Sequence, residues 1–215
     1  MKYLCPFSLL LFACAEKKTK PVVFEHAVST AVKPWFHENF DNDTFTIITD
    51  LNGGERAGVF DVAIEQVNLL RPELIVTVGD LIDGGTENKD TLTMQWDYFD
   101  MRAKKAKAPL FHIGGNHDLT NAVMREFWAN RYGPRYYHFI YKDVLFLMLD
   151  SEDYSPERMQ EIYLARAAAI KVMDGPNPEK ANDMKYNKMK ERVSGEISKQ
   201  QSEYFTKVLT PNILQ

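Results

Sequence analysis

Cysteine is confined to the first fourteen residues of this 215-residue chain, at Cys5 and Cys14. The remainder can build neither a disulfide framework nor a thiolate zinc site. Histidine is also scarce. The five are His26, His37, His112, His117 and His138, and none follows position 138. Basic excess is missing too: 26 Lys and Arg stand against 30 Asp and Glu, for a formal net charge of −4. That balance gives no electrostatic footprint for nucleic acid. No apolar run approaches the roughly 20 residues needed to cross a bilayer, and no internal repeat is visible. What the chain does have is 45% hydrophobic residues, with thirteen Phe and ten Tyr. That is enough for one domain with a packed core.

The N-terminus has the form of an export signal. Lys2 gives a positive start, and Leu9-Leu10-Leu11-Phe12-Ala13 is a short apolar run ending at Cys14. Leu11-Phe12-Ala13-Cys14 is similar to a lipoprotein cleavage box, which would make Cys14 a lipidated first residue and the protein an exported, envelope-anchored one. Residues 1–20 are therefore expected to be leader and tether, 21–43 an N-terminal extension, and 44–215 the folded domain.

Strand-like runs occur at 44–49, 74–78, 108–113, 136–141 and 144–149. Helical spacing is expected from Val59 to Leu70 and over about 91–106, 119–131, 156–173 and 189–209. The first three strands are continuous apolar runs, as in parallel strands buried on both faces. The order predicts an α/β fold with a mixed, mostly parallel sheet flanked by helices. Residues 174–180 read as a loop, and the lysine-rich run at 180–192 as a solvated face.

Each of the first three strands ends in polar side chains: Asp50, then Gly79-Asp80, then Gly114-Gly115-Asn116-His117-Asp118. Consecutive ends are one βαβ unit apart, and ligands of open parallel sheets bind at the carboxyl ends of strands. One rim would thus gather two carboxylates, an amide oxygen and an imidazole. Carboxylates so close repel each other unless a cation separates them. Such a donor set suits Mn²⁺, Fe, Zn²⁺ or Mg²⁺. A lone Asp after a strand is ordinarily a turn or capping residue; the ordered combination is the signal.

Gly79-Asp80-Leu81-Ile82-Asp83 and Gly115-Asn116-His117-Asp118 resemble motifs of the calcineurin-like metallophosphoesterases, over about Thr44 to Leu149. The resemblance implies the N-terminal portion of an α/β/β/α sandwich and hydrolysis of a phosphate mono- or diester at a dinuclear divalent metal centre. It implies Asp50, Asp80 and Asn116 as metal ligands, with Asp80 bridging, and His117 as the acid for the leaving group. Asp83 falls where some members carry the carboxylate that orients this histidine. The family's first motif, Asp-x-His, reads Asp50-Leu51-Asn52 here, so Asn52 would offer an amide oxygen instead of an imidazole.

Other residues keep two readings. Asp118 caps the following helix or supports His117. Arg135 reaches a phosphate or lies beside core aromatics. Asp150 and Ser151 face substrate or form a turn. Gly53-Gly54 let the backbone approach the site or simply turn. His112 reads as a core or interface residue. The family's later histidine motifs have no counterpart after His138. The domain is therefore expected to be incomplete, with the missing ligands supplied by a further segment or a second chain. The competing expectation is an inactive exported remnant or binding protein on the same scaffold.

Overall fold

A computed structural model describes residues 44–51 and 56–210. The leader, Cys14, the extension and Asn52 lie outside the described residues, as do His26, His37 and Gly53-Gly54.

Three short strands, β1 (Phe45–Ile48), β2 (Leu74–Val78) and β3 (Leu110–Ile113), form a parallel sheet in that order. The register pairs Phe45 with Leu74 and Ile75 with Leu110. Right-handed crossovers are the rule for such units, and helices fill them here: α1 (Val59–Leu70) and α2 (Lys89–Ala103). After β3 come one helical turn, α3 (Asn116–Leu119), and α4 (Ala122–Tyr132). The expected single helix at 119–131 is thus split in two. Asn121 makes the break, because its side chain accepts from the N–H of Met124 and starts α4 afresh. Asn88 caps α2 in the same way through Thr91.

Alternation along the strands separates two cores. Ile75 and Leu110 face the helices and pack with Phe60, Ile64, Trp96, Phe99, Met124 and Trp128. Leu74, Val76 and Phe111 face the other way, onto the antiparallel hairpin of β4 (Tyr137–Tyr141) and β5 (Val144–Met148). The hairpin forms a sheet of its own rather than extending the parallel one. Phe139 lies between Phe111 and Phe146, with ring centroids 4.1 and 4.8 Å away.

On the far face of the hairpin, His138 Nδ1 lies 2.7 Å from the Tyr204 hydroxyl of α6 (Lys199–Val208). The layers are therefore helix, sheet, sheet, helix.

Helix α5 spans Pro156–Met173, as expected; Ser155 caps it by accepting from the N–H of Arg158, and Pro156 opens it. The expected helix at 189–209 begins only at Lys199. Residues 178–192 form three 3₁₀ turns, Pro178–Asp183, Lys185–Lys188 and Lys190–Arg192. Lysines spaced along that stretch provide no apolar stripe to support a continuous helix. Its few apolar side chains, Tyr186 and Met189, instead pack on Tyr154, Met159 and Ile162. Among the described residues no helix is long and apolar enough to cross a membrane.

Candidate functional site

The rim is built by backbone geometry that no ordinary strand end shows. Asp50 and Asp80 both sit at positive φ, 56° and 57°. Non-glycine residues rarely hold that region, and such strain collects at functional sites. The parallel ladder nevertheless continues through them: Asp50 N–H donates to the Gly79 carbonyl at 3.2 Å, and Leu51 N–H to the Asp80 carbonyl at 2.9 Å. Asp50 and Asp80 are thereby held on adjacent strand ends.

Gly79 and Gly115 fit this arrangement because neither has room for a side chain. A Cβ on Gly79, itself at φ 96°, would run into the backbone of Gly115. A Cβ on Gly115 would overlap Oδ1 of Asp80. The glycines thus form a cradle for the Asp80 carboxylate. Within it, Asp80 Oδ1 accepts from the N–H of His117 at 2.9 Å.

Asp118 serves neither of its expected partners alone. It is fully buried, and its carboxylate accepts from the N–H groups of Asp80, Leu81, Ile82 and Gly115 at 2.7 to 3.3 Å. The bond from Gly115 is the anticipated helix-start contact; the other three bind the loop after β2. Burial pushes the carboxyl up to about 7 against the pull of these donors. Asp118 therefore fastens the second motif to the third.

His117 is bounded on both ring nitrogens. Nδ1 lies 2.8 Å from the backbone carbonyl of Asp83, and Nε2 lies 2.7 Å from Nη2 of Arg166 on α5. A carbonyl can only accept and a guanidinium can only donate. The ring is therefore neutral, with its proton on Nδ1 and its lone pair toward Arg166. Asp83 does adjoin His117 as expected, but the contact runs through its main-chain oxygen.

Arg166 was not legible as a site residue. It lies 49 positions beyond His117 in the sequence, and the one available signal was a single long cation within Ala165-Arg166-Ala167-Ala168-Ala169. With Asn116, Thr120, Glu152 and Arg192 it lines a cleft of about 270 Å³ beside the rim. Burial pushes Glu152 up to about 7, and Asp150 and Asp80 add to the shift. The cleft wall is formed by the 3₁₀ segment and α5, so the 156–195 region contributes directly to the site.

Arg135 and Asp150 are structural. Arg135 pairs with Asp150 at 2.5 Å and with Asp153 at 2.9 Å, which satisfies its guanidinium. Arg125 binds the backbone carbonyls of Leu119, Glu152 and Tyr154. His112 is 2% exposed, stacked among Phe99 and Tyr132 beneath the sheet, as the core reading predicted.

The donors fit a hard divalent cation: two carboxylates and an amide oxygen on one rim, with Asp80 seated in a glycine cradle. Among the described residues, no three His, Cys, Asp or Glu side chains gather about one point. A second cation would have to draw on donors beyond them.

The family model of the calcineurin-like phosphoesterases matches residues 43–200. A component of the SbcCD nuclease of Staphylococcus saprophyticus is 28% identical over 99 residues, covering 46% of this chain and 24% of that protein. The serine/threonine-protein phosphatase CPPED1 of Mus musculus is 31% identical over 106 residues, covering 46% and 34% respectively. The chain thus spans about a quarter to a third of the curated relatives it matches. A crystal structure of a dimetal phosphatase from Danio rerio superposes with a TM-score of 0.52 at 16% identity, over 85% of this chain and 68% of that one, and so shares its fold. With 158 consecutive residues matched and the rim motifs in place, the chain belongs to the calcineurin-like phosphoesterase family.

Proposed function

We propose that this chain carries the substrate-facing part of a metal-dependent phosphoesterase that hydrolyses a phosphate mono- or diester. The observation that carries this reading is the convergence of Asp50, Asp80, Asn116 and His117 at the carboxyl ends of parallel strands, held by strained backbone and glycine cradles. Asp50, Asp80 and Asn116 would hold the metal, with Asn52 a further candidate. Divalent cations, when bound, supply Lewis-acid stabilisation of phosphoryl charge and an acidified water. His117 would serve as the acid for the leaving oxygen, and the Asp83 carbonyl fixes its tautomer through Nδ1. For His117 to give a proton from Nε2, Arg166 must first move off that atom and the ring must then take up a proton there from solvent. The test is hydrolysis of an aryl phosphate and a bis-aryl phosphate by the full chain with added Mn²⁺, Fe²⁺, Zn²⁺ or Mg²⁺. Activity that is lost in Asp80→Ala supports the reading. Absence of turnover with every cation overturns it.

The sparse donor set favours a second reading, in which the scaffold turns over only when further ligands come from another segment or chain, or not at all. Exposed apolar side chains on the outer strand β1, Phe45 and Ile47, are compatible with such an addition. Export and lipid anchoring through Cys14 form part of this proposal; mass spectrometry of the envelope-fraction protein, with and without Cys14→Ala, tests it.

A further inference from the structure

Arg166 is held by an imidazole, whereas several other arginines are held by carboxylates. Arg131 pairs with Asp97 and Asp100, Arg135 with Asp150 and Asp153, and Arg158 with Glu161 and Glu191. Among the described residues no carboxylate lies within ion-pairing distance of Arg166. Its one hydrogen bond there goes to Nε2 of His117 at 2.7 Å. A bond to a neutral ring satisfies one N–H but leaves the positive charge without a directly paired carboxylate.

Arg192 lines the same cleft and likewise makes no ion pair among the described residues. Of the two carboxylates in the wall, Glu191 is engaged by Arg158 at 2.7 Å. Only Glu152 is left to oppose two guanidinium groups. The cleft therefore carries positive charge immediately beside Asn116, one of the metal-ligating positions, and a planar fork suited to phosphate oxygens.

Resting on the hydrolase reading above, we propose that Arg166 is a substrate-binding residue. Its guanidinium leaves His117 for the phosphoryl oxygens of a phosphate monoester dianion. Arg192 adds a second positive charge to the cleft, so that the site prefers monoesters to diesters. A monoester presents three terminal oxygens and two charges to the fork. A diester presents two such oxygens and a single charge. The exchange also uncovers Nε2 of His117 when the phosphoryl group arrives, which couples substrate binding to access at that nitrogen.

The experiment compares the full-length wild type with Arg166→Gln, Arg166→Lys and Arg192→Gln, all loaded with Mn²⁺. Readouts are KM and kcat for an aryl phosphate and a bis-aryl phosphate, and the inhibition constant of inorganic phosphate. In Arg166→Gln, the monoester KM and the phosphate constant should both rise about tenfold or more, as expected for loss of a charge-assisted bond, while the diester KM stays within about twofold. Arg166→Lys should recover part of the loss, and Arg192→Gln should show a smaller rise of the same kind. Unchanged melting temperatures establish that each variant folds. A phosphate constant unaltered in Arg166→Gln overturns the proposal, as does an equal loss on both esters. Should the wild type hydrolyse neither ester, the hydrolase reading fails by itself. Calorimetric binding of inorganic phosphate then decides Arg166: weakening by about tenfold in Arg166→Gln supports its role, and equal affinity overturns it.

Discussion

The backbone N–H of His117 donates to Oδ1 of Asp80 at 2.9 Å, so the second and third motifs are bonded to each other as well as adjacent. Asp80 thereby positions His117, and in the proposed function its other oxygen would be offered to a cation. Asp80→Asn keeps an oxygen acceptor for that N–H but halves the ligating capacity. It should leave stability within about 0.5 kcal/mol while abolishing measurable Mn²⁺ binding by calorimetry. Asp80→Ala should lose both, with an added stability cost of about 1 kcal/mol in urea denaturation.

Gly115→Ala tests the cradle without touching any ligand. The new methyl would overlap the Asp80 carboxylate, and its relief must move either Asp80 or the turn. We expect a destabilisation of about 1–3 kcal/mol, typical of a small-to-large change at a closed site. Affinity for Mn²⁺ should fall more than this stability loss explains if Asp80 ligates the cation as proposed.

Arg135→Ala should be among the most damaging single changes outside the rim. Asp150 is fully buried, and removing its guanidinium partner strands a carboxylate in the interior. Breaking a buried pair from one side costs about 3–5 kcal/mol. Denaturation midpoints of Arg135→Ala and of the double variant with Asp150→Asn would separate loss of the pair from the stranded charge: the double variant should be the more stable of the two.

His112 predicts an acid-side weakness. Burial lowers its pKa from 6.5 to about 3, so the neutral ring is the native form. The unfolded chain takes up a proton as pH falls through 6.5, and the folded chain does so only near 3. Its contribution is therefore complete above pH 6.5 and is lost progressively down to about 3, at up to about 1.4 kcal/mol per pH unit. In His112→Phe that part of the slope should vanish from a stability-versus-pH curve.

The parallel strands and α5 were legible because their signals are local. Leu74–Val78 is an unbroken apolar run, and Ser155-Pro156 marks a helix start. The placing of the rim residues was legible because each candidate position follows its own strand. The 3₁₀ segment was not, since its lysines support helix or loop equally and only packing of Tyr186 and Met189 on α5 decides. Nor could the sequence reveal that Asp118 gathers four backbone donors. That role exists only once the turns after β2 and β3 meet. Arg166 was hidden for the same reason, as its partner His117 comes from another layer of the molecule.

Gln201, on α6, accepts from the N–H of Asp150 and donates to the carbonyl of Asp150, both at 2.9 Å. Its side-chain amide imitates the peptide of a neighbouring strand. The ladder is in effect terminated there by a one-residue strand borrowed from a helix. Any chain that joins this molecule by backbone pairing finds Asp150 already taken.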